Sequence, residues 1–315
     1  MYKTAIVLMC MALLSCGSKT QKVAAKGDNK PGPPQETRPA ALFPVKVNGK
    51  YGYIDKSGNM VVEPTFAAAQ RFSDGMAAVQ LKVADKVGYI DETGKIAIQP
   101  QFDLADPFSE GMAAVMLDHK WGYISKTGHL AIAAVFGKAE RFSEGMAGVI
   151  FTRGTSGVYG YINPKAGWVM DPKYEGAMPF SEGLAAVRVF GELYSYIDPT
   201  GKVVIPSQYT TAGEFVGGLA PVEVQTTEGM RWGYINKEGK VAISAKFTRA
   251  YPFSDGLAVV QLPDNKWGFV NAEGTLAIPA KFDKAASFTG GLAQVGVEDK
   301  IGYIDQSGKY VWEPK

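Results

Sequence analysis

Carboxylates recur directly before a glycine at five places, and their side chains are the first candidates for chemistry. Paired carboxylates act as acid and base in hydrolysis, and clustered carboxylates bind calcium. A catalytic pair needs its two carboxyl groups within about 10 Å, whereas this chain places its acids one to a repeat. The following glycine favours a tight turn, so we interpret these acids as turn residues. They are Asp74, Glu110, Glu144, Glu182 and Asp255.

Metal ligands of other kinds are scarce. The chain holds two histidines, His119 and His129, and two cysteines, Cys10 and Cys16, which form no metal-binding pattern. The recurring Asp-x-x-Gly segments lack the alternating carboxylates and the closing glutamate of an EF-hand loop. Phosphate-binding loops and the G-x-S-x-G and H-E-x-x-H motifs are absent from the sequence. We therefore predict no catalytic residue, metal site or cofactor, and we expect a protein that is not an enzyme.

Net charge and apolar content further limit the class of protein to which the chain can belong. Lys and Arg total 33 and Asp and Glu total 31, so the formal net charge is +2 and does not favour a nucleic-acid partner. Hydrophobic residues make up 46% of the 315 residues, which is enough to build a packed core. The chain is predicted to fold and to bind neither DNA nor RNA.

The first residues have the pattern of a secretory signal. Lys3 supplies a positive start, and the apolar run at 5–14 is too short to cross a bilayer as a helix. Residues 13–17, Leu-Leu-Ser-Cys-Gly, resemble the lipobox of bacterial lipoproteins. This resemblance implies cleavage after Ser15 and acylation of Cys16, which would anchor the protein in the bacterial cell envelope, with the outer membrane as the expected location. The alternative is an ordinary secretory signal with an incidental cysteine.

Three segments follow from this interpretation. Residues 1–15 are predicted to be a lipoprotein signal peptide. Residues 16–41 are predicted to be the lipidated cysteine and a flexible linker, because the segment is rich in Lys, Pro and Gly and has no aromatic residue. Residues 42–315 are predicted to form one repeat domain.

From residue 42 onwards the chain repeats one motif eight times. Its commonest form is aromatic-Gly-Tyr-Ile-Asp, and the central positions lie 34 to 38 residues apart. An aromatic residue follows the first seven centres by 14 residues, an Ala by 17 and a Phe by 20. The eight centres are Gly52, Gly88, Gly122, Gly160, Ser195, Gly233, Gly268 and Gly302.

Each repeat predicts three strands. The motif alternates in polarity and is rich in aromatic and β-branched residues, which is typical of a strand. Asp-x-x-Gly then predicts a tight hairpin turn, and a second short strand follows. The aromatic-x-x-Ala-x-x-Phe run is expected to be an irregular crossing that leads to a third strand, such as 112–115. Because residues 42–47 match 219–224, the array begins on this strand, and each unit is a three-stranded antiparallel meander.

The predicted fold class is all-β, with eight meanders in tandem. The aromatic residues of one meander need a neighbouring meander to pack against, which makes the array quasi-one-dimensional. We expect an open, curved, solenoid-like array, because the first and last meanders give no sign of completing each other's sheet. A closed ring that resembles a β-propeller is the alternative.

The repeated residues resemble the WG, or KWG, repeats of bacterial proteins over about 42–315. The resemblance depends on Trp-Gly-Tyr-Ile-Asp/Asn-x-x-Gly and on Phe-Ser-Glu/Asp-Gly-Leu/Met-Ala in fixed register. Departures include Ser195 for the central glycine, Ala166 for the turn glycine, and Gly217 and Gly290 where other units carry an acid. The family implies a repeat fold and carries no general biochemical activity that can be transferred.

Function is therefore expected in what differs between the units. We predict a non-catalytic envelope lipoprotein that acts as a scaffold for protein interaction, with the membrane and another envelope protein as partners. The alternative is a module that binds glycans or the cell wall through exposed aromatic residues. Loops on a rigid scaffold commonly carry binding, and two hairpin tips are unusually long. Their candidate binding residues are Arg153, Thr155, Ser156, Thr226, Thr227, Glu228 and Arg231.

Overall fold

The structure is a computed structural model, and it describes residues 41–153 and 156–313. Over these residues the chain forms 31 β-strands in eight antiparallel sheets, each built from strands that follow one another in sequence. The predicted signal peptide, Cys16 and nearly all of the predicted linker lie outside the described residues. Within the part of the chain that is described, no helix has the length and apolar character needed to cross a membrane.

Sheet 1 has three strands, and sheets 2 to 8 have four strands each. Sheet 1 contains β1 (Phe43–Val47), β2 (Lys50–Ile54) and β3 (Met60–Phe66). Sheet 2 contains β4 (Ala68–Ala69), β5 (Met76–Gln80), β6 (Val87–Asp91) and β7 (Ile96–Phe102). Sheet 3 contains β8 (Leu104–Ala105), β9 (Met112–Leu117), β10 (Lys120–Ser125) and β11 (Leu130–Phe136). Sheet 4 contains β12 (Lys138–Ala139), β13 (Ala147–Arg153), β14 (Ser156–Ile162) and β15 (Trp168–Tyr174).

The remaining sheets repeat this order. Sheet 5 contains β16 (Gly176–Ala177), β17 (Ala185–Arg188), β18 (Tyr194–Ile197) and β19 (Val203–Tyr209). Sheet 6 contains β20 (Thr211–Ala212), β21 (Leu219–Thr226), β22 (Gly229–Asn236) and β23 (Val241–Phe247). Sheet 7 contains β24 (Arg249–Ala250), β25 (Ala258–Gln261), β26 (Trp267–Val270) and β27 (Leu276–Phe282). Sheet 8 contains β28 (Lys284–Ala285), β29 (Leu292–Val297), β30 (Lys300–Asp305) and β31 (Tyr310–Trp312).

The glycine at the centre of the motif is required by the backbone of the next strand. A Cβ atom added to Gly122 would lie 2.6 Å from the carbonyl oxygen of Ile132 and 2.7 Å from the nitrogen of Ala134. Tyr123, its neighbour, points to the other face and is fully buried. This arrangement confirms the predicted strand, in which tyrosine and glycine occupy opposite faces.

The Asp-x-x-Gly segments form the predicted tight turns. In sheet 2, the Asp91 carboxylate accepts the N–H groups of Thr93 over 2.9 Å and of Lys95 over 3.1 Å. Gly94 adopts a φ of 81°, in the left-handed region that favours glycine. These hydrogen bonds lower the pKa of the Asp91 carboxyl, and the hydroxyl of Thr93 contributes most to the shift.

The crossing is more regular than we predicted, because its middle residues form a fourth strand. In sheet 3, Leu104 pairs with Met116 and Ala105 pairs with Val115. The strand is only two residues long, since the aromatic-x-x-Ala-x-x-Phe spacing does not follow the two-residue period of a longer strand. The three-stranded meander that the sequence predicts is therefore correct for sheet 1, and the other seven sheets have one strand more.

Each pair of neighbouring sheets encloses its own core. Tyr89 of sheet 2 packs edge-on against Phe102 and Phe108, with ring centroids 6.3 and 4.8 Å apart. Its hydroxyl donates to the carbonyl oxygen of Asp106 over 2.7 Å. The same cluster includes Ala105 and Val115 of sheet 3. The core residues of one repeat thus lie against the next repeat, as the sequence predicts.

The eight sheets form a closed, eight-bladed propeller, so the expected open array is wrong and the alternative ring is correct. Phe43, Val45 and Ile54 of sheet 1 share a buried cluster with Leu292 and Tyr303 of sheet 8. Packing between sheet faces closes the ring, and within the described part of the chain no strand is shared between sheets 8 and 1. Our expectation rested on the lack of a shared strand, which face-to-face packing does not need.

Two residues in the sheets that meet at this closure differ from those at the same register in the other units. Phe43 stands at a register where the other seven units carry alanine, and Trp312 stands where they carry valine, isoleucine or methionine. The Phe43 ring packs edge-on against Tyr303, with centroids 5.7 Å apart, and so gives Tyr303 the aromatic neighbour that Phe108 gives Tyr89. The larger side chains fill space at the closure that the crossings fill elsewhere.

Candidate functional site

The propeller has two ends with different chemistry. Because the strands of each sheet are consecutive and antiparallel, successive turns lie at alternate ends. The turns before the second strand and before the fourth strand, such as 109–112 and 126–129, share the end that we call the turn end. The hairpins between the second and third strands, including 153–156 and 226–229, lie at the opposite end, which we call the hairpin end.

At the turn end, the five acids that the sequence singled out join neighbouring sheets. Glu110 and Gly111 adopt φ angles of 53° and 79°, which are typical of a type I′ turn. The Glu110 carboxylate accepts the N–H groups of Glu144 over 2.7 Å and of Gly145 over 3.0 Å in the next turn. We call these contacts carboxylate ties. They run from Asp74 to Gly111, from Glu110 to Glu144 and Gly145, from Glu144 to Gly183, from Glu182 to Gly217 and Gly218, and from Asp255 to Gly291.

Glu182 forms the most extensive tie. Its carboxylate accepts the N–H groups of Gly217 and Gly218 and lies 3.1 Å from Nζ of Lys237. Partial burial would raise the pKa of Glu182, but the hydrogen bond from Lys237 and those from the two glycines lower it below its ordinary value. The carboxylates therefore act as structural acceptors, which confirms the interpretation of the acids as turn residues.

Neither histidine lies in a cluster of potential metal ligands. His119 is exposed in the β9–β10 turn with a φ of 63°, and Nδ1 of His129 lies 2.9 Å from the Thr127 hydroxyl in another turn. Among residues 41–153 and 156–313, no group of three or more His, Cys, Asp or Glu side chains is placed to hold a metal ion.

At the hairpin end, the two candidate tips belong to sheets 4 and 6, with sheet 5 between them. In sheet 4, the backbone of Arg153 pairs with that of Ser156, and Thr155 lies outside the described residues. In sheet 6, the Thr226 hydroxyl donates to the carbonyl of Gly229 over 2.8 Å, which orders the turn that includes Thr227. The tips are thus extensions of paired strands.

The sheet 6 tip also carries an ion pair. The Arg231 guanidinium lies 3.9 Å from the Glu228 carboxylate, and the side chain of Glu228 is largely exposed. Arg231 also donates to the Met230 carbonyl over 2.9 Å. An ion pair of this length with an exposed carboxylate contributes little to stability. The Glu228 charge therefore remains available to a partner, whereas the Arg231 side chain is only 22% exposed.

One set of contacts was not predicted from the sequence. It is made by the residue that directly precedes the Phe of the aromatic-x-x-Ala-x-x-Phe crossing. Arg141 of sheet 4 forms a two-pronged ion pair with Glu214 of sheet 6, across the intervening sheet. Arg71 of sheet 2 likewise donates to the Ser287 carbonyl over 3.2 Å and to the Thr289 hydroxyl over 2.8 Å in sheet 8. Because sheets two places apart meet here, this position faces the middle of the ring.

Two depressions lie among the short strands, and each is flanked by an aromatic residue of the motif. One has a volume of about 460 Å³, spans sheets 2 to 4, and is lined by Trp121, Asp106 and Glu140. Burial, with a smaller contribution from Glu140, raises the pKa of Asp106. The other has a volume of about 410 Å³, spans sheets 5 to 7, and is lined by Trp232 and Tyr251.

The tryptophans of the motif are neither fully buried nor fully exposed. Trp121, Trp232 and Trp267 are each half-buried, and the Trp267 ring packs against Tyr251 with centroids 5.9 Å apart. Each therefore contributes to packing between sheets and also shows part of its ring to solvent. The predicted packing role is therefore correct for part of each side chain, and the rest of the ring is exposed to solvent.

Comparison with known proteins gives one family and a set of similar folds. The model of a family described as "WG containing repeat" matches residues 51–82, 88–121, 121–150, 159–192, 194–225, 232–267 and 267–300. The computationally designed Ika8 protein is similar in structure with a TM-score of 0.51 and 12% identity, over 85% of this chain and 98% of Ika8. At this identity the likeness concerns the fold alone.

Two bacterial structures are similar at lower scores. BamB from Moraxella catarrhalis has a TM-score of 0.46 and 10% identity, over 84% of this chain and 94% of BamB. Apo AztD from Citrobacter koseri has a TM-score of 0.45 and 13% identity, over 83% of this chain and 90% of AztD. No curated protein matches the chain in sequence.

Proposed function

The chain belongs to the WG-repeat family, and on this premise we propose that it is a non-catalytic scaffold that binds another protein of the cell envelope. One observation carries the proposal: the two longest hairpins, in sheets 4 and 6, project from the same end of a closed ring. A partner that contacts both would be held across sheet 5. Loops that a rigid framework holds in place are well suited to binding.

The two hairpins are extensively paired at the base, and the residues at their tips are mostly polar. Seven consecutive residue pairs join the strands of the sheet 4 hairpin and eight join those of the sheet 6 hairpin. The tips carry Arg153, Thr155, Ser156, Thr226, Thr227, Glu228 and Arg231. This mixture of hydroxyl groups and of both charges is typical of polar contacts at the rim of a protein interface.

We propose that a lipid on Cys16 anchors this scaffold to the outer membrane. At about 0.8 kcal/mol for each buried methylene, several acyl chains on one residue give stable anchoring. Mass spectrometry of the mature N-terminus and membrane fractionation of Cys16→Ser test this part. Diacylglycerol on Cys16 and release of the variant from membranes are expected. An unmodified Cys16 in the membrane fraction would contradict it.

Cross-linking and capture of the full chain from intact cells tests the scaffold. In the test variant, residues 153–156 and 226–229 are both replaced by short Gly-Ser turns. We expect loss of a reproducible cross-linked partner with a melting temperature close to that of the original protein. The matched control makes the same change at residues 118–119 of sheet 3. Equal capture by the double variant would refute the role of the two tips.

Glycan binding is a second candidate, and the observation that favours it is the half-exposed tryptophan beside each depression. Trp121 and Trp232 line depressions of about 460 and 410 Å³, and aromatic rings can stack on sugars. Envelope polysaccharide should then quench tryptophan fluorescence, and Trp121→Ala with Trp232→Ala should abolish the quenching. Trp168, which is exposed on β15, provides the control substitution.

A further inference from the structure

In sheets 2 to 8, two backbone hydrogen bonds hold the short strand to its neighbour at a constant register. In sheet 3, the N–H of Asp103 donates to the Met116 carbonyl over 2.9 Å, and the N–H of Asp106 donates to the Ala114 carbonyl over 2.9 Å. The other six of these sheets show the same two bonds, with distances of 2.8 to 3.1 Å. This edge of the second strand is therefore built to receive an extended segment.

Sheet 1 offers the same edge, and among residues 41–153 and 156–313 no strand occupies it. The register places Lys46 at the position of Met116 and Pro44 at the position of Ala114. The Pro44 carbonyl accepts the Tyr303 hydroxyl over 2.7 Å, in place of a backbone N–H. The N–H and carbonyl of Lys46 share one edge of β1, and that edge faces away from β2.

A depression of about 450 Å³ lies beside this edge, where sheets 1 and 8 meet. β1 and its turn form one wall, and Gln294, Ile301, Tyr303 and Trp312 of sheet 8 form the other. Ile301 and Trp312 are half-buried. The depression is continuous with the interface that closes the ring, since Tyr303 and Trp312 also belong to the closing cluster.

The sequence before β1 does not repeat the pattern that fills this edge in the other units. Gly32, Gln35 and Arg38 stand where the other seven units carry an aromatic residue, Ala and Phe. The place of the crossing phenylalanine is taken by Phe43, which packs against Tyr303. The space beside Lys46 has no such replacement among the described residues.

We propose that the free edge of β1 and this depression bind an extended segment of a partner protein, which adds an eighth short strand to the propeller. This mode of recognition is β-augmentation, in which main-chain hydrogen bonds give affinity and side-chain pockets give specificity. The proposal concerns other residues than the tips in sheets 4 and 6, so it stands or falls independently of them.

The short first strands of sheets 2 to 8 show which chemical groups the partner's segment must supply. It supplies a backbone N–H to the Lys46 carbonyl and a carbonyl to the Lys46 N–H. The side chain that faces Val45 is small, because alanine holds that register in all seven units. In sheets 3 to 7 that alanine is buried, so a charged side chain at this register would carry its charge into a buried site. The five buried residues are Ala105, Ala139, Ala177, Ala212 and Ala250.

Peptide binding to the full chain tests the proposal, with residues 101–106 (Gln-Phe-Asp-Leu-Ala-Asp) as the probe because they form this strand in sheet 3. The blocked, fluorescently labelled peptide should bind saturably, and a matched peptide with Ala105→Arg should not. Lys46→Pro removes the edge N–H and should weaken binding by about five- to tenfold, as expected for one lost hydrogen bond. Lys46→Ala keeps the N–H and is the control.

A second variant keeps the test valid if proline disturbs β1. Gln294→Trp fills the depression from sheet 8 and should also abolish peptide binding, with circular dichroism unchanged. Absence of saturable binding at millimolar peptide would overturn the proposal. So would binding of the peptide to Lys46→Pro and Gln294→Trp as tightly as to the original protein. Binding that appears only after residues 29–38 are replaced by a Gly-Ser sequence would mean that the chain's own segment competes for the edge, and would equally overturn it.

Discussion

The hydroxyl of Tyr303 donates a hydrogen bond to the carbonyl oxygen of Pro44 over 2.7 Å, although 259 residues separate them. Six other tyrosines of the motif donate to a carbonyl 17 residues ahead of them, in the next sheet. The same side chain therefore makes the same kind of contact at the closure as within the ring. Closure of the propeller thus repeats the chemistry that joins six of the other seven pairs of neighbouring sheets, and Phe269 replaces the tyrosine between sheets 7 and 8.

Removing this hydroxyl should weaken the closure without preventing folding. We expect Tyr303→Phe to lower the free energy of unfolding by about 1–3 kcal/mol, because the buried Pro44 carbonyl loses its donor. Phe269 occupies the equivalent register of sheet 7, so the ring itself is tolerated there. Urea unfolding measures the change, with Tyr310→Phe as the control. A stability equal to that of the original protein would show that the hydrogen bond is not needed.

The closed ring and the consensus of the repeats predict opposite effects of Phe43→Ala on stability. Since the other seven units carry alanine at this register, a consensus of the repeats favours the substitution. The structure instead predicts a loss of about 3–5 kcal/mol, because the change opens a cavity beside Tyr303. Thermal unfolding and limited proteolysis near residue 43 measure the effect. A stabilised variant would contradict the packing described for sheets 8 and 1.

The carboxylate ties predict a small cost for each acid that is removed. Glu110→Ala leaves the N–H groups of Glu144 and Gly145 without their acceptor and should cost about 1 kcal/mol, since the site is exposed to solvent. Glu63→Ala, at an exposed position of β3, is the control. An effect on stability no larger than that of the control would show that the ties are incidental.

A tie can also be added where the chain lacks one. Gly217 adopts a φ of 63° at the register where other units have an acid with a φ of 51° to 53°. Gly217→Glu should therefore reach the N–H groups of the next turn, at Asp255 and Gly256, and raise the free energy of unfolding by about 0.5–1 kcal/mol. Gly217→Gln separates the effect of charge from that of size. Destabilisation by both variants would contradict the prediction.

The buried tyrosines predict a loss of stability in alkali. Burial raises the pKa of Tyr303 from 10.0 to about 12, and it raises the pKa of Tyr89 and Tyr123 further. Between these values the unfolded chain releases protons that the folded chain retains, so stability is complete below pH 10 and falls as the pH rises towards 12. Tyrosinate absorbance from the buried rings should appear together with loss of the circular dichroism signal. Ionisation of all tyrosines near pH 10 in an intact fold would refute this.

The sequence predicted the parts of the fold that repeat. The alternation around Gly122 predicted a strand, and the turn at Asp91 follows from side-chain acceptors that act within a few residues. The carboxylates before glycine were correctly interpreted as turn residues. These features depend on local chemistry, and a local pattern is sufficient to show them.

Closure and the inward-facing contacts could not be predicted in this way. The arrangement depends on the angle between sheets, which accumulates over eight units and leaves no mark in any single one. Phe43 and Trp312 do depart from the repeat at the closure, but their meaning is clear only once the ring is known. Arg141 and Glu214 stand at a register that varies between units, and constant columns of the repeat do not show such positions.

The uneven distribution of the carboxylate ties makes the ring stiffer along some arcs than along others. Between sheets 6 and 7 the acid is replaced by Gly217, and Val216 replaces the serine whose hydroxyl joins turns elsewhere, as Ser73 joins Phe108. The turn end retains apolar packing there, because Val216 lies against the buried cluster that sheets 6 and 7 share. Among the described residues no tie joins sheets 8 and 1, where Gly290 stands at the acid's register, or sheets 1 and 2. Under load, the propeller should therefore bend between a stiff arc of sheets 2 to 6 and the tied pair of sheets 7 and 8. One of the hinges then lies beside sheet 6, which carries one of the proposed binding tips.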